Sequence, residues 1–299
     1  MEELFRRYSS WLVSRYGERT YRVAVDAGFS CPVRDMGAPC AYCEPGGSRA
    51  PYLAQGGSVR DQITRGIEFL KGRYGARGFL LYFQAYSNTH APVDELRRIY
   101  DDALGCSDFK GLIVATRPDC IDRERSALLG AYRDRGLDVW VELGLQSAND
   151  ETLRRINRGH SRGRFDEAVQ LLHEYGVEVT AHLILGLPGE GLDDAVAGAE
   201  HISRLPVGGV KFHNLVVVEG TALYEQYLAG EFSPPDAERY RELLVAAIEH
   251  LREDIVVIRL TCDPPRNVAY APQRLPDKAT VYRQLCDDLR QRRSRQGIY

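Results

Sequence analysis

Asp138-Val139-Trp140-Val141-Glu142-Leu143-Gly144 alternates apolar Val139, Val141 and Leu143 with Trp140 and Glu142. Side chains along a strand point to opposite faces in turn, so one face of this segment is apolar and the other carries a carboxylate. Three more segments share the pattern. Thr180 and His182 alternate with Val179, Ala181 and Leu183; Lys211 and His213 alternate with Val210 and Phe212; Tyr82 and Gln84 alternate with Leu81 and Phe83. A fully packed α/β core would make both faces apolar. Polar groups confined to one parity in four segments imply that they converge on one side of a sheet while the other side packs under helices. A barrel lumen used as an active site has this character, with its polar groups toward the C-terminal ends of the strands.

The rest of the chain supplies the units such a barrel needs. Strand candidates are Tyr21–Asp26, Phe79–Gln84, Gly111–Thr116, Asp138–Gly144, Val177–Leu185, Gly209–Val217 and Ile255–Leu260. Between them run helical patterns at Ser58–Arg73, Pro92–Leu104, Asp122–Arg135, Asp150–Ile156, Arg164–Tyr175, Leu192–Arg204 and Asp236–Leu251. Strands separated by helices make βαβ units and a mainly parallel sheet, and six or seven units favour a barrel, open or closed, over a sandwich. Ala229–Pro235 is the candidate seam. It divides the chain into an N-terminal helical segment (1–20), a core barrel (21–230) and a C-terminal extension capping the barrel (231–299).

Composition narrows the class. Apolar residues make up 44% and charged residues 27% of 299 positions, which suits a folded domain with a sizeable core. Met1-Glu2-Glu3-Leu4-Phe5-Arg6-Arg7 lacks the apolar core of a signal peptide, and no run approaches the ~20 apolar residues of a bilayer span. A cytoplasmic location with no membrane partner is the expectation. The net charge of −3 argues against a globally basic nucleic-acid binder. Arg290, Arg292, Arg293 and Arg295 form one local basic cluster, read either as a solvated helix end or as a contact surface.

Of seven cysteines, Cys31, Cys40 and Cys43 fall close together in a Gly- and Pro-rich loop after the first strand, while Cys106, Cys120, Cys262 and Cys286 are scattered. An odd number in such a chain speaks against a disulfide framework. The close trio invites a metal. A structural zinc site takes four protein ligands, and an electron-transfer cluster usually takes four cysteines. Three thiolates leave one iron of a [4Fe–4S] cubane open to an outside ligand, and the amine and carboxylate of an α-amino acid can chelate it. Spacing alone leaves a second reading open: a zinc-stabilised, non-catalytic binding module whose fourth ligand lies elsewhere in the chain.

The motifs together resemble the radical SAM superfamily and, more closely, its YhcC-type branch near the Elongator catalytic subunit. They are GFSCPVRD (from Gly28) with CAYC (from Cys40), YFQAYSNT (from Tyr82), ATRPDC (from Ala115), VWVELGLQSANDETLRRINRGH (from Val139), HLILGLPGEG (from His182) and VKFHNLVVVEGTALY (from Val210). The likeness runs from about Tyr16 to Pro272. Most of the superfamily carries C-x3-C-x2-C; the longer C-x8-C-x2-C here is similar to that of the YhcC-type and Elongator branches.

The resemblance implies a partial (β/α)6 TIM-like barrel with a C-terminal extension, and an enzyme that uses a [4Fe–4S] cluster to cleave S-adenosylmethionine (SAM) reductively to a 5′-deoxyadenosyl radical. Cys31, Cys40 and Cys43 would be the iron ligands. Gln84, Tyr86 and Asn88 stand where the superfamily places a Gly-Gly-Glu-like motif on the SAM amine, although that motif itself is absent. Thr116 and Arg117 would approach the ribose or carboxylate, Glu142 and Gln146 the ribose, and Gly186 the adenine. Arg158 would pair with the carboxylate, for which its planar fork is suited. His213, Lys211 and His182 are the candidate substrate-facing, catalytic groups. Cys120 and Cys262 are either hydrogen-atom donors to a product radical or inert buried thiols. A reductant such as flavodoxin or ferredoxin is the implied partner. Kinship to the Elongator catalytic subunit points to a modified wobble uridine of tRNA as substrate, while a protein side chain or a small metabolite suits a polar lumen equally.

Overall fold

The computed structural model describes residues 3–44, 53, 56–264 and 268–299. Six β/α units follow one another from residue 20. The strands are β1 (Thr20–Val25), β2 (Gly78–Phe83), β3 (Gly111–Thr116), β4 (Asp138–Gln146), β5 (Glu178–Leu185) and β6 (Gly209–Asn214). A seventh, β8 (Val256–Arg259), comes from the C-terminal part. Strand order is β1-β2-β3-β4-β5-β6-β8 with parallel pairing throughout. Because the order follows the sequence, the sheet curls one way into a partial barrel whose free edges are β1 and β8. The stretch read as one strand, Gly209–Val217, is interrupted: β6 stops at Asn214, and Val217–Val218 (β7) pairs antiparallel with Tyr270–Ala271 (β9).

The helices α3 (Val59–Tyr74), α4 (Val93–Leu104), α5 (Arg123–Asp134), α6 (Asp150–Arg155), α7 (Arg162–Glu174) and α8 (Leu192–Ser203) connect consecutive strands. Their starts follow local chemistry. The Ser58 and Asp61 side chains form a reciprocal capping box on α3, and Asp122, Asn149 and Ser161 accept first-turn amides of α5, α6 and α7. The apolar parity of the strands, with Val139, Val141, Leu143, Val179, Ala181, Val210 and Phe212 almost completely buried, packs beneath these helices in the main core.

The helix α1 (Tyr8–Tyr16) lies between the two free edges and floors the lumen, where Trp11 meets Trp140 edge-on with centroids 5.3 Å apart. Just before it, the chain runs along β8: the Val257 amide donates to the Arg6 carbonyl at 2.8 Å, and Arg7 bridges Val257 in parallel. Gln296, past the end of α11 (Lys278–Gln291), accepts from the Arg6 amide and donates to the carbonyls of Arg252 and Ile255, each at 2.8 Å. Both termini thereby cover an edge that would otherwise expose unpaired backbone groups. The helices α9 (Ala222–Leu228) and α10 (Ala237–Glu249) complete the chain; α10 packs on α8 and α11. No helix among the described residues is long and apolar enough to cross a membrane.

Candidate active site

The loop after β1 carries the three cysteines to the C-terminal mouth of the sheet. It contains one short helix, α2 (Pro32–Asp35), that the loop reading did not anticipate; Pro32 fits its first position because no amide is needed there. Other elements pin the loop. The Asn157 amide group donates to the Ala38 and Pro39 carbonyls at 2.6 and 3.1 Å, the Ala41 amide donates to the Ile156 carbonyl, and the Leu223 amide donates to the Ala41 carbonyl. Ala41 also joins an apolar cluster with Leu153, Ile156, Leu187, Leu215 and Leu223, which shields this end of the barrel.

Around the thiols stand guanidinium groups. Arg34 Nη2 lies 3.0 Å from Cys43 Sγ, Arg117 Nη1 3.6 Å and Arg158 Nη1 3.7 Å from Cys40 Sγ, and the Ser87 hydroxyl 3.2 Å from Cys31 Sγ. Cys40 is buried and the other two are half-buried. Arg117 is held bidentately by Asp119, both contacts at 2.9 Å, and donates to the Arg158 carbonyl at 2.7 Å. Arg158 differs. It is 5% exposed, donates to the Gly144 carbonyl at 2.7 Å, and its Nε has no hydrogen-bond partner. No carboxylate among the described residues lies within ion-pair distance of it.

This donor set fits an anionic iron–sulfur cluster with an amino-acid ligand. Three thiolates meet three fixed cations, N–H and O–H groups are directed at sulfur, and a buried guanidinium is left for a carboxylate. Among the described residues no three His, Cys, Asp or Glu side chains gather as tightly as a single metal ion demands. Thiolates on separate iron corners of a cubane do not have to meet at one point.

Other expected SAM contacts fall in different surroundings. Tyr86 and Gln146, at the ends of β2 and β4, have left-handed backbones (φ 60° and 75°), a strained state for such residues that is characteristic of functional sites. Arg34 lies over the Tyr86 ring. Gln146 sits beside Arg158: a Cβ added to Gly144 would come within 2.5 Å of both side chains, so only glycine lets them share that space. Asn88 is turned inward, donating to the carbonyls of Phe83, Ala85 and Ala115, and Thr116 is bonded to Thr89 at 2.6 Å. These bonds brace the strand ends, while Asn88 Oδ1 is buried without a partner among the described residues. Gly186 (φ 85°) faces Pro235, whose ring would collide with any Cβ there. Gln84 is half-buried at the end of β2, its amide bonded to the Val25 carbonyl.

Deeper in the lumen the one-parity polar set meets. Glu142 receives the Tyr82 hydroxyl at 2.6 Å, the Lys211 ammonium and the Arg22 guanidinium, and His182 Nε2 lies 3.3 Å away. The His182 and His213 rings are 5.3 Å apart. Burial pushes the Glu142 carboxyl up, but Lys211 and Arg22 outweigh it and hold it well below the ordinary range. Burial, with Arg22 and Arg259, pushes Lys211 well below an ordinary lysine despite Glu142. One carboxylate facing a permanent guanidinium stays ionised, whereas the lysine can shed its proton. Burial also lowers His182, to about 4, and lowers His213 strongly, so both imidazoles are neutral at pH 7.

Sequence reasoning missed Arg22, Arg34, Ser87, Asn157 and Arg259 as members of this region. Arg22 shares the parity of Ala24 on β1, so the alternation rule that found Glu142 could have flagged it. Arg34 and Asn157 gave no such signal. Cys262 lies beside Asn214, whose side-chain oxygen accepts its amide at 2.9 Å, and Cys120 is buried. The basic cluster is largely neutralised locally: Arg290 pairs with Asp287, Arg292 with Glu249 and Arg295 with Glu253.

The chain matches the radical SAM superfamily over residues 29–202 and a radical SAM C-terminal domain over residues 207–291. YhcC of Escherichia coli K12 is 34% identical over 91% of this chain and 88% of its own length. A tRNA uridine(34) acetyltransferase of Methanocaldococcus infernus is 34% identical over 82% of this chain, which spans 53% of that protein. Among solved structures, the Elp3 of the same archaeon, lacking its N-terminus, superposes with a TM-score of 0.69 at 22% identity, over 93% of this chain and 64% of that one. That last likeness establishes the fold.

Proposed function

Because this chain belongs to the radical SAM superfamily, we propose that Cys31, Cys40 and Cys43 anchor a [4Fe–4S] cluster whose fourth iron takes S-adenosylmethionine. It is an enzyme of the YhcC-like branch related to Elongator, which leaves the zinc-module alternative without support. When bound, the two cofactors supply one-electron cleavage of SAM to a 5′-deoxyadenosyl radical that abstracts a hydrogen atom from substrate. The protein contributes position and environment. Arg158 holds the SAM carboxylate, Gln146 lines the ribose, Tyr86 stands toward the amine, Arg34 and Arg117 balance charge on the thiolates, and Ser87 hydrogen-bonds to Cys31. The apolar cluster around Ala41 excludes water from that side. Lys211, His182 and His213 face substrate, with the neutral imidazoles available to accept or donate at Nε2. A flavodoxin- or ferredoxin-like protein supplies the electron. The division into residues 1–20, 21–230 and 231–299 belongs to the same proposal.

The observation that carries this reading is Arg158: a buried guanidinium beside Cys40, without a carboxylate of its own among the described residues. Anaerobic reconstitution tests it. Wild-type protein should hold about four irons and four sulfides per chain. Replacing any one of the three cysteines by alanine should abolish that content, and one zinc in colourless protein would contradict it.

A second reading concerns the substrate. The named activity of the M. infernus relative favours a wobble uridine of tRNA. Nucleoside mass spectrometry of tRNA from a deletion strain and its parent decides: a missing or accumulated uridine derivative supports RNA, and an unchanged profile removes it.

A further inference from the structure

Arg259 is a cation of the lumen with no role in the cluster or SAM site. It lies on β8 directly across from Lys211 of β6 in the strand register. It is half-buried, and among the described residues its guanidinium has neither a hydrogen-bond partner nor a carboxylate within 4 Å; Glu142 is already taken by Arg22 and Lys211. On the same inward parity, Thr180 Oγ1 and His213 Nε2 are buried without partners among the described residues, and Thr180 is 0% exposed. Buried polar groups without partners are costly unless a ligand satisfies them, and a half-buried guanidinium without a counter-ion favours an anionic one.

Access comes from the side. Between the free edges β1 and β8 runs a cleft of about 700 Å³, lined by Phe5, Tyr8, Leu12, Arg22, Val257 and Arg259 among others. At its mouth Arg7 and Lys278 are paired with Glu3 and Asp263, so the carboxylates there are committed. The volume is that of a small-molecule site. Glu142 lies two residues before Gly144, the carbonyl that holds Arg158. Along a strand that is about 6–7 Å, the length of a small metabolite.

We propose that the lumen binds a small anionic substrate, a carboxylate or phosphate ester whose charged group sits on Arg259 beside Lys211 and whose body extends toward the cysteine loop. The seam between β1 and β8 admits it. This assignment rests on reading the lumen as the substrate chamber. It excludes a polynucleotide from the seam, though not from the mouth of the barrel.

The two tryptophans of the chain meet where Trp11 of α1 packs on Trp140, and Tyr8 and Leu12 of the same helix line the cleft, so tryptophan emission reports on its occupation. Inorganic phosphate and succinate are titrated separately into metal-free protein at constant ionic strength, and tryptophan emission is read. At least one anion should give a saturating change. Half-saturation should rise at least tenfold in Arg259→Gln and stay within about threefold of wild type in Arg259→Lys. Phosphate and succinate responses separate the two anion classes. No saturation in wild-type protein, or equal curves for wild type and Arg259→Gln, overturns the proposal. So does a response seen only with a uridine-containing RNA stem-loop. Because the titration needs no cluster, its failure is distinct from a failure of wild-type protein to bind iron.

Discussion

Glu142→Gln removes the one carboxylate that Arg22 and Lys211 share. Its side chain is completely buried, so the two cations left behind cannot regain full hydration. Breaking one side of a buried pair costs about 3–5 kcal/mol. Here the loss is shared unequally: Lys211, already depressed by burial, releases its proton, whereas Arg22 stays charged. At about 2 °C per kcal/mol for a chain of this size, the melting temperature should fall by roughly 6–10 °C. Lys211→Met should cost less than Glu142→Gln, because Glu142 keeps Arg22, Tyr82 and His182. In the double variant the losses should be less than additive. The part of the stability that comes from ionised Glu142 is full above the ordinary carboxylate range and weakens as pH falls through its own lower value. Thermal denaturation of the three variants at pH 7 measures all of this. If Glu142→Gln melts within about 2 °C of wild type, or if the two losses simply add, the lumen network is not coupled as described.

Arg158→Ala should weaken SAM binding by about 10–100-fold, as for a lost charged hydrogen-bonded pair, while iron content stays near wild type; calorimetry with SAM and iron analysis check it. Loss of iron in that variant would make Arg158 structural. Gln296→Ala should destabilise the fold by about 1–3 kcal/mol in urea, because buried carbonyls of Arg252 and Ile255 lose their donor. An unchanged midpoint would show that the termini do not seal β8. Burial raises Glu190 to about 7 against the Ser147 hydroxyl, so folding favours its protonated form. The stability it contributes is full below about pH 4.5 and is lost as pH rises through 7. Glu190→Gln should flatten that decline by about 1–3 kcal/mol, and stability–pH curves that remain parallel would count against it.

Much of the fold could be read from period-2 alternation, because β4, β5, β6 and β2 each bury one parity under helices and turn the other inward. The same rule brought Glu142, His182, Lys211 and Tyr82 to one point before any geometry was known. It failed where the chain does not alternate. The helix α1 and the edge-covering run around Arg6 owe their place to the gap between β1 and β8, a property of the whole sheet. Asn88 and Thr116 have the right position and polarity for ligand contacts; the Asn88 Nδ2 is spent on backbone carbonyls and Thr116 is bonded to Thr89, while Asn88 Oδ1 is buried without a partner among the described residues. Gly186 looks like any turn glycine in sequence; its need for a bare Cα comes from Pro235, far along the chain. The cysteine loop was legible as a candidate cluster site from ligand count, but the arginines around it were only partly so. Arg117 and Arg158 came from motif position, whereas Arg34 reaches Cys43 only after α2 turns the loop.

Release of 5′-deoxyadenosine tests most directly whether the loop cysteines support reductive cleavage of SAM. Reconstituted protein is incubated without oxygen with SAM and dithionite, and 5′-deoxyadenosine is measured by chromatography. Wild-type protein should release it and Cys40→Ala should not. An iron-replete wild-type protein that releases none, or a Cys40→Ala variant that releases as much, would contradict the account.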